Sequence, residues 1–169
     1  MKILLTLTLL FGLTLSYAQQ QPKPYNENQD ARADLKKAIT RAKKENKHVL
    51  VQMGGNWCPW CMKFHALVTG YPKLDSLMKA DYVYLLINVP KEKDKRDFAL
   101  FQQLEYPNRF GYPVFLIFDG TGKRINTVDS DGFEYPNTKV PGYDTAKVER
   151  FLKLWTVKAL DPKTYAVKK

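Results

Sequence analysis

The chain has 169 residues, of which 44% are hydrophobic and 26% charged, a composition too apolar for a disordered protein and typical of one globular domain. Ten prolines and nine glycines exclude a collagen-like or low-complexity array, and two cysteines exclude a disulfide-stapled miniprotein or a four-thiolate zinc site. The net charge of +10 raises nucleic acid as a partner, but the basic residues are mixed with acids and no run interleaves them with aromatics, which favours a solvated basic surface.

The first eighteen residues have the layout of a secretory signal peptide. Lys2 supplies a positive charge, residues 3–15 form an apolar run, and residues 16–18 place small side chains at the two key positions of a cleavage site. The run is short for a membrane-spanning helix, so an uncleaved anchor is the less favoured interpretation. We therefore expect a mature chain that starts at Gln19, has no stable membrane insertion, and works in the periplasm or outside the cell.

The first half of the mature chain predicts an arm, a helix and a strand, followed by two further helices. Residues 19–29 are polar and contain proline, which predicts a flexible arm, and Asp30 can cap the helix that follows. A short buried strand is predicted at 48–53, where two glycines halt it. Helices are predicted next at 58–68 and 73–80.

The second half predicts three more strands and two more helices. Buried strands at 82–89 and 114–118 flank a helix at 96–105, and a hairpin turn leads into a fourth strand near 123–129. Asp144 can cap a last helix, whose apolar residues recur at helical spacing: Val148, Phe151, Leu152, Trp155 and Ala159. This order predicts an α/β fold with a mixed central sheet and helices on both faces.

Both cysteines lie in the segment Trp57-Cys58-Pro59-Trp60-Cys61, directly after a predicted strand and at the start of a helix. Residues three apart at a helix start share one face, so the two sulfurs can close a small disulfide ring. Cys58 falls at the N-cap, where unpaired backbone N–H groups and the helix dipole stabilise a thiolate, and Pro59 suits the first helical position. Cys61 lies one turn deeper, where it is shielded and can resolve a mixed disulfide.

A second motif, Gly111-Tyr112-Pro113-Val114, opens a strand some fifty residues downstream. With these two motifs the chain resembles the thioredoxin superfamily, in the branch of exported thioredoxin-like proteins. The element order matches from about Asp30 to Leu160. The resemblance implies the thioredoxin fold, with a cis peptide bond between Tyr112 and Pro113 beside the cysteines.

The resemblance also implies an exported thiol–disulfide oxidoreductase of the protein-disulfide reductase or isomerase type. Cys58 attacks a substrate disulfide and Cys61 resolves the mixed disulfide. Five neighbours form the expected substrate-binding set: Trp57, Pro59, Trp60, Tyr112 and Pro113. The expected partners are protein thiols or disulfides and a redox partner protein. No organic cofactor, metal ion or nucleic acid is expected, and the chain is expected to be a monomer.

Other interpretations of the cysteine pair stay open. A zinc half-site lacks a second ligand pair, because His48 and His65 are seventeen positions apart. Met62, rather than histidine, follows Cys61, which disfavours covalent haem. A purely structural disulfide closes too small a loop to constrain much chain. The alternative function is a redox-inactive binding module, or a Cu(I)-handling protein that uses the same cysteines.

The chain departs from the family at the position of a buried acid that acts on the resolving thiol. Counting back from Cys58 places Gln52 there, and the position of the acid's lysine partner falls on Leu86. Glutamine cannot take a proton, so deprotonation of Cys61 must rely on water or another group. Trp60 brings no positive charge into the motif, which predicts an intermediate reduction potential.

Three further expectations concern the surroundings of the motif. His65, four residues after Cys61, is interpreted as a plain surface histidine, with modulation of a thiol as the minority interpretation. The loop at 130–142 borders the active site in the family fold, so three aromatic residues in it or directly after it are candidates for a substrate edge: Phe133, Tyr135 and Tyr143. The thioredoxin-like domain is expected to span 30–161, with a basic tail at 162–169.

Overall fold

The computed structural model describes residues 23–135 and 141–166, so the predicted signal peptide lies outside the described residues. Its sheet has four strands in the order β2-β1-β3-β4. They are β1 (His48–Gly54), β2 (Tyr82–Asn88), β3 (Val114–Phe118) and β4 (Arg124–Asp129). β1 runs parallel to β2 and antiparallel to β3, and β3 runs antiparallel to β4. The predicted mixed sheet is confirmed.

Six α-helices surround this sheet in the described part of the chain. They are α1 (Ala31–Glu45), α2 (Pro59–Gly70), α3 (Pro72–Asp81), α4 (Phe98–Gln103), α5 (Thr145–Leu154) and α6 (Val157–Leu160). The side chain of Asp30 accepts a hydrogen bond from the Ala33 N–H, and that of Asp144 accepts one from the Ala146 N–H. Both predicted caps are thus confirmed, because each carboxylate pairs an N–H that has no partner inside its helix.

The helices form a layer on each face of the sheet. Alternate residues of β1 point to opposite faces, so Val49, Val51 and Met53 pack with α1 and α4, whereas Leu50 packs with α2, α3 and α5. The strand β3 is buried throughout and contributes to both layers. The prediction of helices on both faces of the sheet is confirmed.

The last predicted helix is interrupted at Trp155. Its carbonyl oxygen accepts a hydrogen bond from Nδ1 of the buried His48, at 2.7 Å, instead of continuing the helical ladder. Thr156 then caps α6 by accepting from the Ala159 N–H at 3.0 Å. The break depends on a contact between residues 107 positions apart, which helical periodicity does not record.

The helix predicted at 96–105 is shorter in the structure. The side chain of Asp97 accepts from the Leu100 N–H at 2.8 Å and begins α4 at Phe98. Glu105 and Tyr106 have positive φ angles of 53° and 55°, in the left-handed region that a helix cannot include.

The prediction of a flexible arm is wrong for residues 23–29. Tyr25 is 2% exposed, its N–H donates to the Asn56 side-chain oxygen at 3.1 Å, and its carbonyl accepts from the Asn56 side-chain nitrogen at 2.9 Å. Gln29 is hydrogen-bonded to β2 through both ends of its side-chain amide. It donates to the Leu86 carbonyl at 3.0 Å and accepts from the Asn88 N–H at 2.6 Å. These contacts attach the segment to the domain in front of α1.

None of the helices in the described ranges is both long enough and apolar enough to cross a membrane.

Candidate active site around the cysteine pair

The two cysteines are joined by a disulfide at the amino-terminal end of α2. β1 ends at Gly54, and the N–H of Cys58 donates to the Gly55 carbonyl at 3.0 Å in the turn that starts the helix. Cys58 is the N-cap, Pro59 is the first helical residue, and the Cys61 N–H donates to Cys58 Sγ at 3.2 Å. Once the disulfide opens, this N–H and the helix dipole stabilise negative charge on the Cys58 sulfur.

The two sulfurs differ in access. Cys58 is 4% exposed and Cys61 is 0% exposed. A thiol or disulfide from solvent therefore reaches only Cys58, and it does so through a narrow opening.

The Tyr112–Pro113 peptide bond is cis, as the resemblance implies, and lies beside Cys58. The Tyr112 carbonyl oxygen is 3.7 Å from Cys58 Sγ, which allows a weak hydrogen bond once Cys58 is a thiol. Pro113 is buried just before β3, whose first residue pairs with Met53 of β1. The pairing of β3 with β1 therefore brings Tyr112 to the cysteines.

Both tryptophans flank the pair but are held differently. Trp57 is 36% exposed, its Nε1 donates to the Val89 carbonyl at 2.7 Å, and its ring meets that of Tyr112 edge-on with centroids 5.8 Å apart. The Trp60 ring is partly buried against Tyr143, at 5.2 Å. Trp57 thus presents a fixed apolar surface to solvent next to Cys58. Pro59 is exposed at the same edge.

Two cations lie over the aromatic residues of this edge. The Lys63 ammonium is 4.9 Å from the centre of the Trp60 ring, and the Arg96 guanidinium is 5.7 Å from that of Tyr112. Both distances are within the range of cation–π attraction. The edge around Cys58 is therefore flanked by positive charge.

A buried hydrogen-bond network lies behind Cys61, and Gln52 is its centre. Gln52 is 0% exposed and stands opposite Leu86 in the register of β1 and β2. Its Nε2 donates to the Cys61 carbonyl at 2.9 Å and to the Tyr25 hydroxyl at 2.6 Å, while its Oε1 accepts from the Tyr84 hydroxyl. Gln52 therefore occupies the predicted depth beside Cys61, and every hydrogen of its amide nitrogen is used.

Sequence reasoning missed Tyr25 as part of this site. It packs directly with the two cysteines, and burial raises the pKa of its phenol. The signal was present in the sequence, because Tyr25 is the sole aromatic residue between Gln19 and Asp30. An aromatic side chain in a polar segment marks a point at which that segment packs on the domain.

Of the three aromatic residues expected at a substrate edge in or directly after the 130–142 loop, two are buried in the core. Phe133 and Tyr143 are buried in the layer that contains α2 and α5, where Tyr143 donates from its hydroxyl to the Trp60 carbonyl at 3.2 Å. Tyr135 is exposed. Residues 136–140 lie outside the described part.

His65 is only half-buried, and its ring stacks on Tyr84 with centroids 6.0 Å apart. Burial lowers its pKa, and its Nδ1 is buried without a hydrogen-bond partner. The interpretation as a plain surface histidine is therefore wrong, since the ring is part of the packing between α2 and β2.

Within residues 23–135 and 141–166, no three side chains of histidine, cysteine, aspartate or glutamate are grouped so as to hold a metal ion.

Residues 35–134 match the family model of the thioredoxin-like domain. The chain is similar to the crystal structure of a disulphide isomerase from Xylella fastidiosa Temecula1, with a TM-score of 0.60 and 26% identity over 67% of this chain and 84% of that chain. It is also similar in fold to a thioredoxin from Thermus thermophilus, with a TM-score of 0.50 and 19% identity over 74% of this chain and 85% of that chain. No curated protein matches the chain.

Proposed function

Because the chain belongs to the thioredoxin-like family, we propose that it is an exported thiol–disulfide oxidoreductase that acts on protein disulfides through Cys58 and Cys61. The observation that carries this proposal is the unequal placement of the two sulfurs. Cys58 lies at a helix N-cap at the surface, and Cys61 lies fully buried one turn behind it. The similar structure from Xylella fastidiosa is described as a disulphide isomerase, which supports the same chemistry for this chain.

In the proposed reaction, the Cys58 thiolate attacks one sulfur of a substrate disulfide. A bond forms between Cys58 and that sulfur, and the other substrate sulfur leaves as a thiolate. Cys61 then attacks Cys58 Sγ, which restores the Cys58–Cys61 disulfide and releases the second substrate thiolate. The substrate gains two electrons and the protein loses them. The same steps in reverse oxidise a dithiol substrate.

The neighbours of Cys58 are proposed to hold the substrate. An extended substrate backbone is expected to meet Cys58 beside the Tyr112 carbonyl, which is 3.7 Å from Cys58 Sγ, and the buried Pro113, while Trp57 offers an apolar surface next to it. Pro59 and Trp60 complete the edge. Because the partly exposed Trp57 is already held by its bond to Val89, it contacts a substrate without a large loss of side-chain entropy.

Insulin reduction with a dithiol donor tests the activity. The wild-type chain is expected to accelerate the reaction, Cys58→Ser to abolish the acceleration, and Cys61→Ser to accumulate a mixed disulfide on Cys58. Full activity of Cys58→Ser would contradict the proposal. An inactive wild type that binds one Cu(I) per chain would instead favour the copper-handling alternative.

Export and the monomeric state are separate parts of the proposal. Export is supported by the charge, apolar run and small residues of positions 1–18. Amino-terminal sequencing of the protein recovered from the periplasm of a bacterial host is expected to begin at Gln19. A chain that keeps Met1 would contradict export by cleavage. Sedimentation of that mature protein is expected to give the mass of a monomer.

A further inference from the structure

The hydroxyl of Tyr25 and the sulfur of Cys61 share the space left open by Gly54. A Cβ atom placed on Gly54 would overlap Cys61 Sγ and would lie 3.1 Å from the Tyr25 hydroxyl oxygen. Tyr25 is also packed in one buried cluster with both cysteines. The hydroxyl and the sulfur therefore both border the bare face of the same glycine, in a buried cluster away from water.

The direction of the hydrogen bonds leaves the Tyr25 proton free. Because the Cys61 carbonyl can only accept, the Gln52 amide is oriented with Nε2 toward it, and the second hydrogen of Nε2 goes to the Tyr25 oxygen. The Tyr25 oxygen is thus an acceptor in this bond. Among the residues that the structure describes, no nitrogen or oxygen accepts the proton of the Tyr25 hydroxyl in turn.

We propose that the Tyr25 hydroxyl donates this proton in a hydrogen bond to the Cys61 sulfur when the disulfide is open, and so stabilises the Cys61 thiolate. This role rests on the proposed function, and it replaces the buried acid that the chain lacks at Gln52. The donor comes from the segment in front of α1, not from the sheet.

The role fits both directions of exchange. When a donor thiolate attacks Cys58 Sγ, the Cys58–Cys61 bond breaks and its electron pair goes to Cys61, whose new charge accepts the hydrogen bond from Tyr25. In the resolving direction, the same bond favours the thiolate of Cys61 that attacks the mixed disulfide. Tyr25 keeps its proton throughout, because burial raises the pKa of the phenol.

The other ionisable groups around the cysteine pair make their own contacts, and none of these contacts involves the Tyr25 hydroxyl. Tyr84 donates to Gln52, His65 stacks on Tyr84, and Tyr143 donates to the Trp60 carbonyl. The charged groups are set further out: Lys63 over Trp60, Arg96 over Tyr112, and Glu27 bound to Asn56. All of them remain in a chain that lacks only the Tyr25 hydroxyl.

The test measures the Cys61 thiol directly in the full chain with Cys58→Ser, so that no disulfide forms. Isotope-edited NMR of the labelled cysteine Cβ follows deprotonation of Cys61 as pH is raised. Tyr25→Phe is expected to raise the Cys61 pKa by about one unit, a tenfold change in the ionisation equilibrium. Tyr82→Phe is the matched control, since it removes a buried hydroxyl that donates to the Leu152 carbonyl at 2.5 Å, and it should leave the Cys61 pKa unchanged.

A second variant keeps the fold intact and acts in the opposite direction. A ring-fluorinated tyrosine at position 25 is a stronger hydrogen-bond donor and is expected to lower the Cys61 pKa. An unchanged Cys61 pKa in both Tyr25 variants would overturn the inference. This readout needs no substrate, so an inactive wild type in the insulin assay would count against the proposed function, not against the bond between Tyr25 and Cys61.

Discussion

The side-chain amide of Gln52 donates a hydrogen bond to the backbone carbonyl of Cys61 at 2.9 Å, and thereby ties the end of β1 to the first turn of α2. A carbonyl oxygen accepts hydrogen bonds but donates none. An ionised carboxylate at position 52 also only accepts, so its oxygen and the Cys61 carbonyl oxygen would lie against each other with no hydrogen between them. The family's acid and the glutamine of this chain are therefore not interchangeable.

Gln52→Glu is expected to lose stability as pH rises. Burial raises the pKa of the glutamate in the folded chain, whereas in the unfolded chain it stays near 4.3. Below that value both states hold the proton, and the protonated acid donates to the Cys61 carbonyl much as the amide does. Above it the unfolded state ionises first, so the variant loses about 1–3 kcal/mol relative to wild type toward neutral pH.

Urea unfolding of wild type and Gln52→Glu near pH 4 and near pH 7 measures whether the variant loses stability relative to wild type as the pH rises. A difference between the two proteins that is the same at both pH values would contradict it. Gln52→Asp is a useful comparison, because its shorter side chain cannot reach Tyr25 and Tyr84 together. We expect it to be less stable than Gln52→Glu at both pH values, and to speed resolution of a mixed disulfide on Cys58 near pH 7, because an acid at this depth can take the proton of Cys61.

Gly54→Ala is expected to destabilise the oxidised protein by about 1–3 kcal/mol, because the new methyl group overlaps the Cys61 sulfur. Gly70→Ala is its matched control. Gly70 ends α2, and apart from its chain neighbours and the backbone of its own helix no heavy atom lies within 4 Å of the place that an alanine methyl group would take. Alanine there should therefore be neutral or stabilising by up to about 1 kcal/mol. Thermal unfolding of both variants makes the comparison. Equal effects at the two glycines would show that the sulfur does not require the space at Gly54.

After reduction, Cys58 is expected to be alkylated before Cys61 at mildly acidic pH. The Cys61 N–H and the helix dipole stabilise the Cys58 thiolate, and Cys58 alone has any exposed surface. Mass spectrometry of the alkylated peptides, after brief labelling, identifies the residue. Labelling of Cys61 first would reverse the proposed roles of the two cysteines.

His65 is expected to make the folded state less stable as pH falls. Burial lowers its pKa below 6.5 in the folded chain, so the unfolded chain binds a proton first as the pH drops below that value. The free energy of unfolding therefore falls as the pH drops from 6.5 to the pKa of His65 in the folded state. His65→Phe keeps a flat ring against Tyr84 and removes the titration, so its unfolding free energy should change less over the same range. Parallel pH profiles of the two proteins would contradict the assignment.

The reduction potential of the pair is expected to lie between about −270 mV, typical of thioredoxins, and about −120 mV, typical of strong periplasmic oxidants. The Cys58 thiolate gains a backbone N–H and the helix dipole, but Trp60 provides no charge inside the motif. Equilibration with glutathione of known ratio measures the value. A reduction potential at either limit would show that groups outside the Cys58–Cys61 motif determine its value.

The parts of the fold that depend on neighbouring residues were predictable from the sequence. Asp30 and Asp144 cap helices because each carboxylate meets an N–H two or three residues later. Cys58 begins α2 because Pro59 suits the first helical position. The resemblance, by counting back from Cys58, also identified Gln52 as the residue at the position of the family's acid.

The parts that depend on distant residues were not predictable in this way. The break at Trp155 requires His48, and the burial of Tyr25 requires Asn56, which is 31 positions away. Local composition suggested a loose segment around Tyr25, because lysine, proline and asparagine surround it. Tertiary hydrogen bonds outweigh that local preference.

The attachment of residues 23–29 has a practical consequence for where the protein can be shortened. A recombinant chain trimmed to start at Asp30 would retain every residue of the sheet and both cysteines, yet it would lack the ring that fills the cavity beside Cys61. Water would enter that cavity, and one hydrogen of the Gln52 amide would have to bind solvent instead of Tyr25. Truncation experiments that place the amino-terminal limit of the domain at its first helix would therefore report the chemistry of a hydrated thiol, whereas the native chain keeps that thiol dry.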